Sequence, residues 1–279
     1  MKTPVAQVLV HLDPSPGAAL RLAVACQLAA RQGAAVTALY AATPTFVDVP
    51  FAPGIGAEVA VALRQVDTTH LQRAREVFEA SQKSAEVRAT WVEVRDDPIT
   101  AVFAQQALYA DMLVLGQHYP TEQHGSYVPT DFAQSVMIMS GKPTLMVPGI
   151  GAPAKIGQTV LIAWKPTREA ARAVVAALPL LQGAQAVHVV SWDSVEESVG
   201  GRGLNLTGYL ALHGIQPTWH RQGAETKDMG ELLLSRAFDF QADLLVMGCY
   251  GHSRMREWAL GGVSRTILSA MTLPVLMSH

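Results

Sequence analysis

Short, almost uninterrupted apolar runs alternate along this chain with longer Ala-rich stretches. The runs near 5–12, 34–41, 86–94, 111–115 and 143–147 read as strands, and helices fall near 16–32, 56–84, 98–109 and 131–140. The pattern then begins again. Strands follow near 158–164, 184–190, 215–221, 243–247 and 273–277, with helices near 168–182, 203–213, 228–240 and 263–271. A strand that is apolar at nearly every position is covered on both faces. Strands of that kind joined by helices predict an α/β fold with a parallel sheet between helical layers. Ligands of such sheets sit beyond the carboxyl ends of the strands.

The two halves share more than their rhythm. The frame A-D-x-L-V-x-G occurs at 110–116 and again at 242–248, and P-x-L-M occurs at 143–146 and at 274–277. A repeat of this length makes each half one structural unit. The join, 149–154, reads GIGAPA, a Gly/Pro stretch where a domain boundary is expected. The boundaries read this way are 1–149 and 155–279.

One loop carries candidate chemistry. GCYGHSRMREWALGGVSR (248–265) leaves the carboxyl end of a predicted strand and holds Gly248, Gly251, Gly261 and Gly262. Glycines let a backbone approach a phosphate closely and turn its N–H groups toward it. The helix that follows, entered through Val263 and Ser264, adds its own N-terminal donors. The same glycines serve equally to give a turn its backbone geometry.

Composition narrows the classes. Of 279 residues 49% are hydrophobic and 16% charged, which suits full cores rather than disorder. A net charge of −2 offers no electrostatic basis for a nucleic-acid or membrane-surface partner. The first apolar run stops at His11 and Asp13 without a cleavage site, so no signal peptide is read, and no stretch reaches the roughly 18 apolar residues of a membrane span. Cys26 and Cys249 lie in unrelated contexts, which fits a reduced, cytoplasmic protein.

The segment ADLLVMGCYGHSRMREWALGGVSR, closed by P-V-L-M, resembles the C-terminal signature of universal stress proteins, and the repeated frame extends the resemblance to both halves. It implies two Rossmann-like or flavodoxin-like domains, each a five-stranded parallel sheet with helices on both faces, related by a pseudo-two-fold. It also implies pairing of two such domains around a two-fold axis, often through the last strand; the two halves could pair in this way inside one chain, and a homodimer is the other form of self-association. Nucleotide-binding members use G-x2-G-x9-G followed by Ser or Thr. Gly248, Gly251 and Gly261 match, but Gly262 stands where the hydroxyl belongs and Ser264 lies two positions on. The missing hydrogen bond is worth roughly 0.5–1.5 kcal/mol. The resemblance therefore points to an adenine nucleotide, ATP or AMP, held in the second half by Gly248, Gly251, His252, Gly261, Gly262, Val263, Ser264, Trp164 and Lys165.

The family's first strand usually ends in Asp-Gly-Ser, with the Asp on the nucleoside. Lys165 holds that place in the second half, either as a point charge for a phosphate or as plain surface. The first half keeps Asp13 but loses its later glycines, and Thr130 and Asp131 stand where Gly261 and Gly262 lie. Asp131 would repel a phosphate and suits a helix N-cap. The first half is therefore read as degenerate for nucleotide.

Other features have plainer readings. The histidines show no metal spacing, no Ser/His/Asp order or G-x-S-x-G elbow stands out, and Asp96–Asp97–Pro98 reads as a helix cap. Cys249 reads as a small, partly buried filler rather than a reactive thiol. The Pro-rich run 43–56 reads as a packing strap between the halves, with a lid over a small ligand as the alternative. Some family members are weak ATPases, but no general base or metal carboxylate is evident at this loop, so no turnover is expected. A stress-linked binding or regulatory role follows. The competing class is an interaction module without nucleotide, acting through its surface or a dimer interface.

Overall fold

A computed structural model of the chain describes residues 5–45, 57–83, 85–94, 96–118, 127–149, 155–192, 203–221, 223, 228–249 and 262–279. They form two compact units, the first ending at Lys142 and the second beginning at Pro143. In chain order the first holds β1 (Gln7–Leu12), α1 (Ala18–Gln32), β2 (Ala35–Ala41), α2 (Ala57–Gln82), β3 (Ala89–Val94), α3 (Ile99–Ala107), β4 (Met112–Gly116) and α4 (Phe132–Ser140). Its strands run β3-β2-β1-β4, all parallel. The second holds β5 (Thr144–Val147), β6 (Thr159–Ala163), α5 (Arg168–Leu181), β7 (Ala186–Ser191), α6 (Leu206–Leu212), β8 (Thr218–Arg221), α7 (Met229–Asp239), β9 (Leu244–Gly248), α8 (Gly262–Ala270) and β10 (Val275–Ser278).

The second unit runs β5-β10-β9-β6-β7-β8. Its ladders are parallel except one: β5 pairs antiparallel with β10, Leu145 opposite Leu276. The repeated P-x-L-M segments are thus strands that pair with each other. All four residues of β5 and of β10 are buried. The fold is the expected α/β class, with parallel strands and covering helices. The departure is that β5 belongs with the second unit and runs against its partner.

The repeated Asp of A-D-x-L-V-x-G has a structural task. Asp111 Oδ2 accepts from the backbone N–H of Ala6 and Gln7 at 2.9 and 3.0 Å. Asp243 does the same for the strand equivalent to β1, accepting from Gly157 at 2.7 Å and Gln158 at 2.9 Å. Each carboxylate ties the amino end of one central strand to its neighbour. This sets the register of the pair whose carboxyl ends flank the switch in strand order. That switch lies between β1 and β4 in one unit and between β6 and β9 in the other, where doubly wound sheets receive ligands.

Candidate functional site

In the first unit a buried ion pair lies at the switch point. Asp13, just past β1, is buried and pairs with Arg21 of α1 at 2.5 Å. Its Oδ1 also accepts from the Ser15 N–H at 3.0 Å, and Arg21 Nε donates to the His11 carbonyl at 2.9 Å. The guanidinium lies against Gly116 at the end of β4, where an added Cβ would come within 2.6 Å of Arg21 Nη1. Burial, the largest single cause, would raise Asp13, but the Arg21 and His11 charges and the hydrogen bonds from Ser15 and Arg21 together outweigh it and hold the carboxyl at about 2. His11, also buried, is pushed by desolvation down to about 4 and lies between the rings of Phe103 and Phe132, at 5.5 and 4.7 Å. Asp131 precedes α4 as its N-cap residue, but makes no side-chain bond to the helix backbone and instead accepts from Ser135 Oγ at 2.9 Å.

The second unit is built differently at the same place. Ala173 falls where α1 carries Arg21 and is fully buried. The first turn of α5 therefore closes directly on the end of β9. A Cβ on Gly248 would lie 2.4 Å from the Ala170 nitrogen. Gly248 thus has a packing reason to be glycine, independent of any ligand. Trp164 and Lys165 follow β6, both half-buried. The Trp164 N–H donates to the Val190 carbonyl at 2.9 Å, which extends the β6–β7 ladder. Thr167 caps α5, accepting from the Ala170 N–H at 3.3 Å.

Glu169, next in α5, is buried and bonded to Arg168. Burial pushes its pKa up, but the Arg168 hydrogen bond and charge reverse this, and the carboxyl ends below its usual value. That buried carboxylate and desolvation act together on Cys249, with burial the larger cause, and push its thiol up to about 12. Cys249 Sγ lies 3.2 Å from the Ser278 carbonyl. It is a buried, protonated side chain that packs.

On the far side of the loop, α8 opens at exposed Gly262, around which a Cβ would meet nothing within 4 Å. Val263 is half-buried and Ser264 buried in the first turn. The helix is held by α7: a Cβ on Gly230 would lie 2.6 Å from Thr266 Cβ. Gly251, His252 and Gly261 lie outside the described residues. Gly248, Trp164 and Lys165 are thus at the strand ends of one switch point, and Gly262, Val263 and Ser264 open the helix that the loop enters.

Two residues here escape a reading of motifs. Arg21 is the one charged residue between Ala18 and Arg31 in an otherwise Ala- and Leu-rich helix, a signal that it is buried with a partner. Glu169 is hidden by its place beside Arg168, which looks like an exposed pair. Among the described residues, no group of three or more His, Cys, Asp or Glu could hold a metal ion, and no helix is long and apolar enough to cross a membrane. The start of the 43–56 run is tied down. Thr43 N–H donates to the Tyr127 carbonyl at 2.8 Å, and the Thr45 N–H to Asp67 of α2 at 2.9 Å. Residues 46–56 lie outside the described set.

The universal stress protein family model matches the chain twice, over residues 5–148 and 158–279. Among solved structures, a universal stress protein from Archaeoglobus fulgidus is similar at 14% identity. The match covers 97% of this chain and 94% of that one, with a TM-score of 0.68. A functionally unknown protein from Pseudomonas aeruginosa is similar at 16% identity, covering 98% and 92%, with a TM-score of 0.58. At these identities the likeness speaks for the fold. Among curated proteins none matches. Two family matches, one on each repeat, cover nearly the whole chain, and the chain belongs to the universal stress protein family, with two of its domains in tandem.

Proposed function

We propose that this protein is a stress-response binding protein that takes an adenine nucleotide, ATP or AMP, in its second domain (155–279) and not in its first (1–149). The stress-response role follows from the family. The nucleotide reading rests chiefly on the contrast between the two switch points. In the first, Arg21 and Asp13 neutralise each other in a buried pair beneath Gly116, and the Phe132 ring sits on His11. In the second, Ala173 replaces the arginine, and no described residue comes within 4 Å of a Cβ built on Gly262, where α8 begins. The N–H groups of a helix's first turn have no partner within the helix and suit a phosphate. The proposal involves binding and regulation, not turnover. Its setting is the cytoplasm, with which two buried cysteines held as thiols rather than as a disulfide agree.

A second reading has its own support. Gly248 is accounted for by packing, and the buried Glu169 carboxylate beside Cys249 opposes an anion. Under that reading the protein works as an interaction module through its surface or as a homodimer. Substitution separates the two. Gly261→Asp places a carboxylate where the phosphates are proposed to sit and should abolish nucleotide binding, while leaving the circular dichroism spectrum intact. Lys165→Asp restores the family's residue and should raise affinity for adenine nucleotides. Unchanged affinity in Gly261→Asp would remove the loop from the site.

A further inference from the structure

The second unit holds a cluster with no part in the proposed nucleotide site. His188 of β7 and His220 of β8 meet with Nδ1 and Nε2 3.0 Å apart. Their ring centroids are 5.2 Å apart, close to the most that this nitrogen–nitrogen distance and the two ring radii allow. The nitrogens therefore face each other head-on, as in a hydrogen bond, rather than converging on a third point, as metal ligands do. One ring must donate and the other accept, so the pair fixes complementary tautomers. Phe240, which ends α7, covers both rings, stacking on His188 at 4.7 Å and on His220 at 4.2 Å. Among the described residues β8 has β7 as its one strand neighbour, so the cluster joins an edge strand, its neighbour and the end of a covering helix.

We propose that His188, His220 and Phe240 form a proton-operated latch that holds β8 in place near neutral pH and loosens it in mild acid. The first proton taken up is shared between the facing nitrogens, as N–H⁺···N, and the bond survives. A second proton puts a hydrogen on both facing nitrogens. The bond is then lost, and two positive charges face each other in a half-buried place.

Among the described residues few other charges bear on the pair. β6 brings no ionisable side chain, and β7 none besides His188. β8 brings His220 and, on the alternate face, Arg221. The last turn of α7 brings Arg236 and Asp239, which pair with each other at 3.2 Å. Burial and the His220 charge both lower the His188 pKa below its ordinary 6.5. The unfolded chain thus accepts the proton more readily than the folded one. The latch's contribution is fully present above about 6.5 and falls as pH drops below it.

The test uses the full chain. Imidazole titration by nuclear magnetic resonance should show His188 and His220 titrating as a coupled pair in two steps, the lower step below the ordinary value. Amide exchange, corrected for intrinsic rates, should show protection over Thr218–Arg221 falling about tenfold relative to β6 between about pH 7.5 and 5.5. In His220→Gln, which keeps a polar side chain but cannot take a proton, the fall should be less than about twofold. Independent single-step titrations of the two rings, or the same pH dependence in wild type and His220→Gln, would overturn the proposal. The wild-type titration decides the matter alone if the variant does not fold.

Discussion

Single residues carry the difference between the two domains. Arg21 is buried because Asp13 and the His11 carbonyl share its donors, and it has room because residue 116 is glycine. Removing one partner of such a pair leaves the other charge buried and alone. Arg21→Met should therefore cost about 3–5 kcal/mol in urea unfolding, and the double change with Asp13→Ala less than the single change alone. Equal or additive losses would show that the pair does not act as a unit. His11 contributes in another way. Its folded pKa lies near 4, against an ordinary 6.5, so its share of stability is complete above about 6.5 and drains away as pH falls toward 4. Replacing His11 by Gln should flatten the fall of the unfolding midpoint across that window. The glycines and the repeated Asp were legible in the sequence as motifs, but Arg21 and Glu169 were not. Their meaning depends on what stands opposite them in space: Gly116 for one, Cys249 for the other.

At the scale of elements, periodicity was a good guide. All eighteen helices and strands of the described residues fall on stretches whose pattern predicts them, with ends differing by a few residues. The pattern could not give strand direction, because an apolar run reads the same both ways. The antiparallel β5–β10 ladder was therefore beyond periodicity, and only the family resemblance, with its last-strand pairing about a two-fold, pointed to it. Nor could spacing reveal why β9 ends in glycine. The α5 backbone occupies the place of a Cβ, so Gly248→Ala must push a helix off a sheet. A loss of about 2–3 kcal/mol is expected, larger than for Gly116→Ala, where the near atom belongs to a side chain. The Asp243 clamp makes a parallel case. Asp243→Ala leaves the N–H groups of Gly157 and Gln158 without their carboxylate, and should lower stability by about 1–3 kcal/mol. Hydrogen exchange would show faster opening at the start of β6.

For the whole molecule, duplication has left two domains with the same frame and different contents at the switch point. The first has an internal ion pair and aromatic packing there. The second keeps the glycines of the 248–265 loop in its sequence, and with them the capacity proposed here to bind nucleotide. The proposed latch lies in that second domain but on different elements from the proposed nucleotide site. Calorimetric titration of the purified chain with ATP and with AMP, with and without magnesium, tests the central claim most directly. The account predicts one site per chain in the micromolar range or tighter, unaffected by Arg21→Met. Two sites per chain, or no heat at millimolar nucleotide, would contradict it.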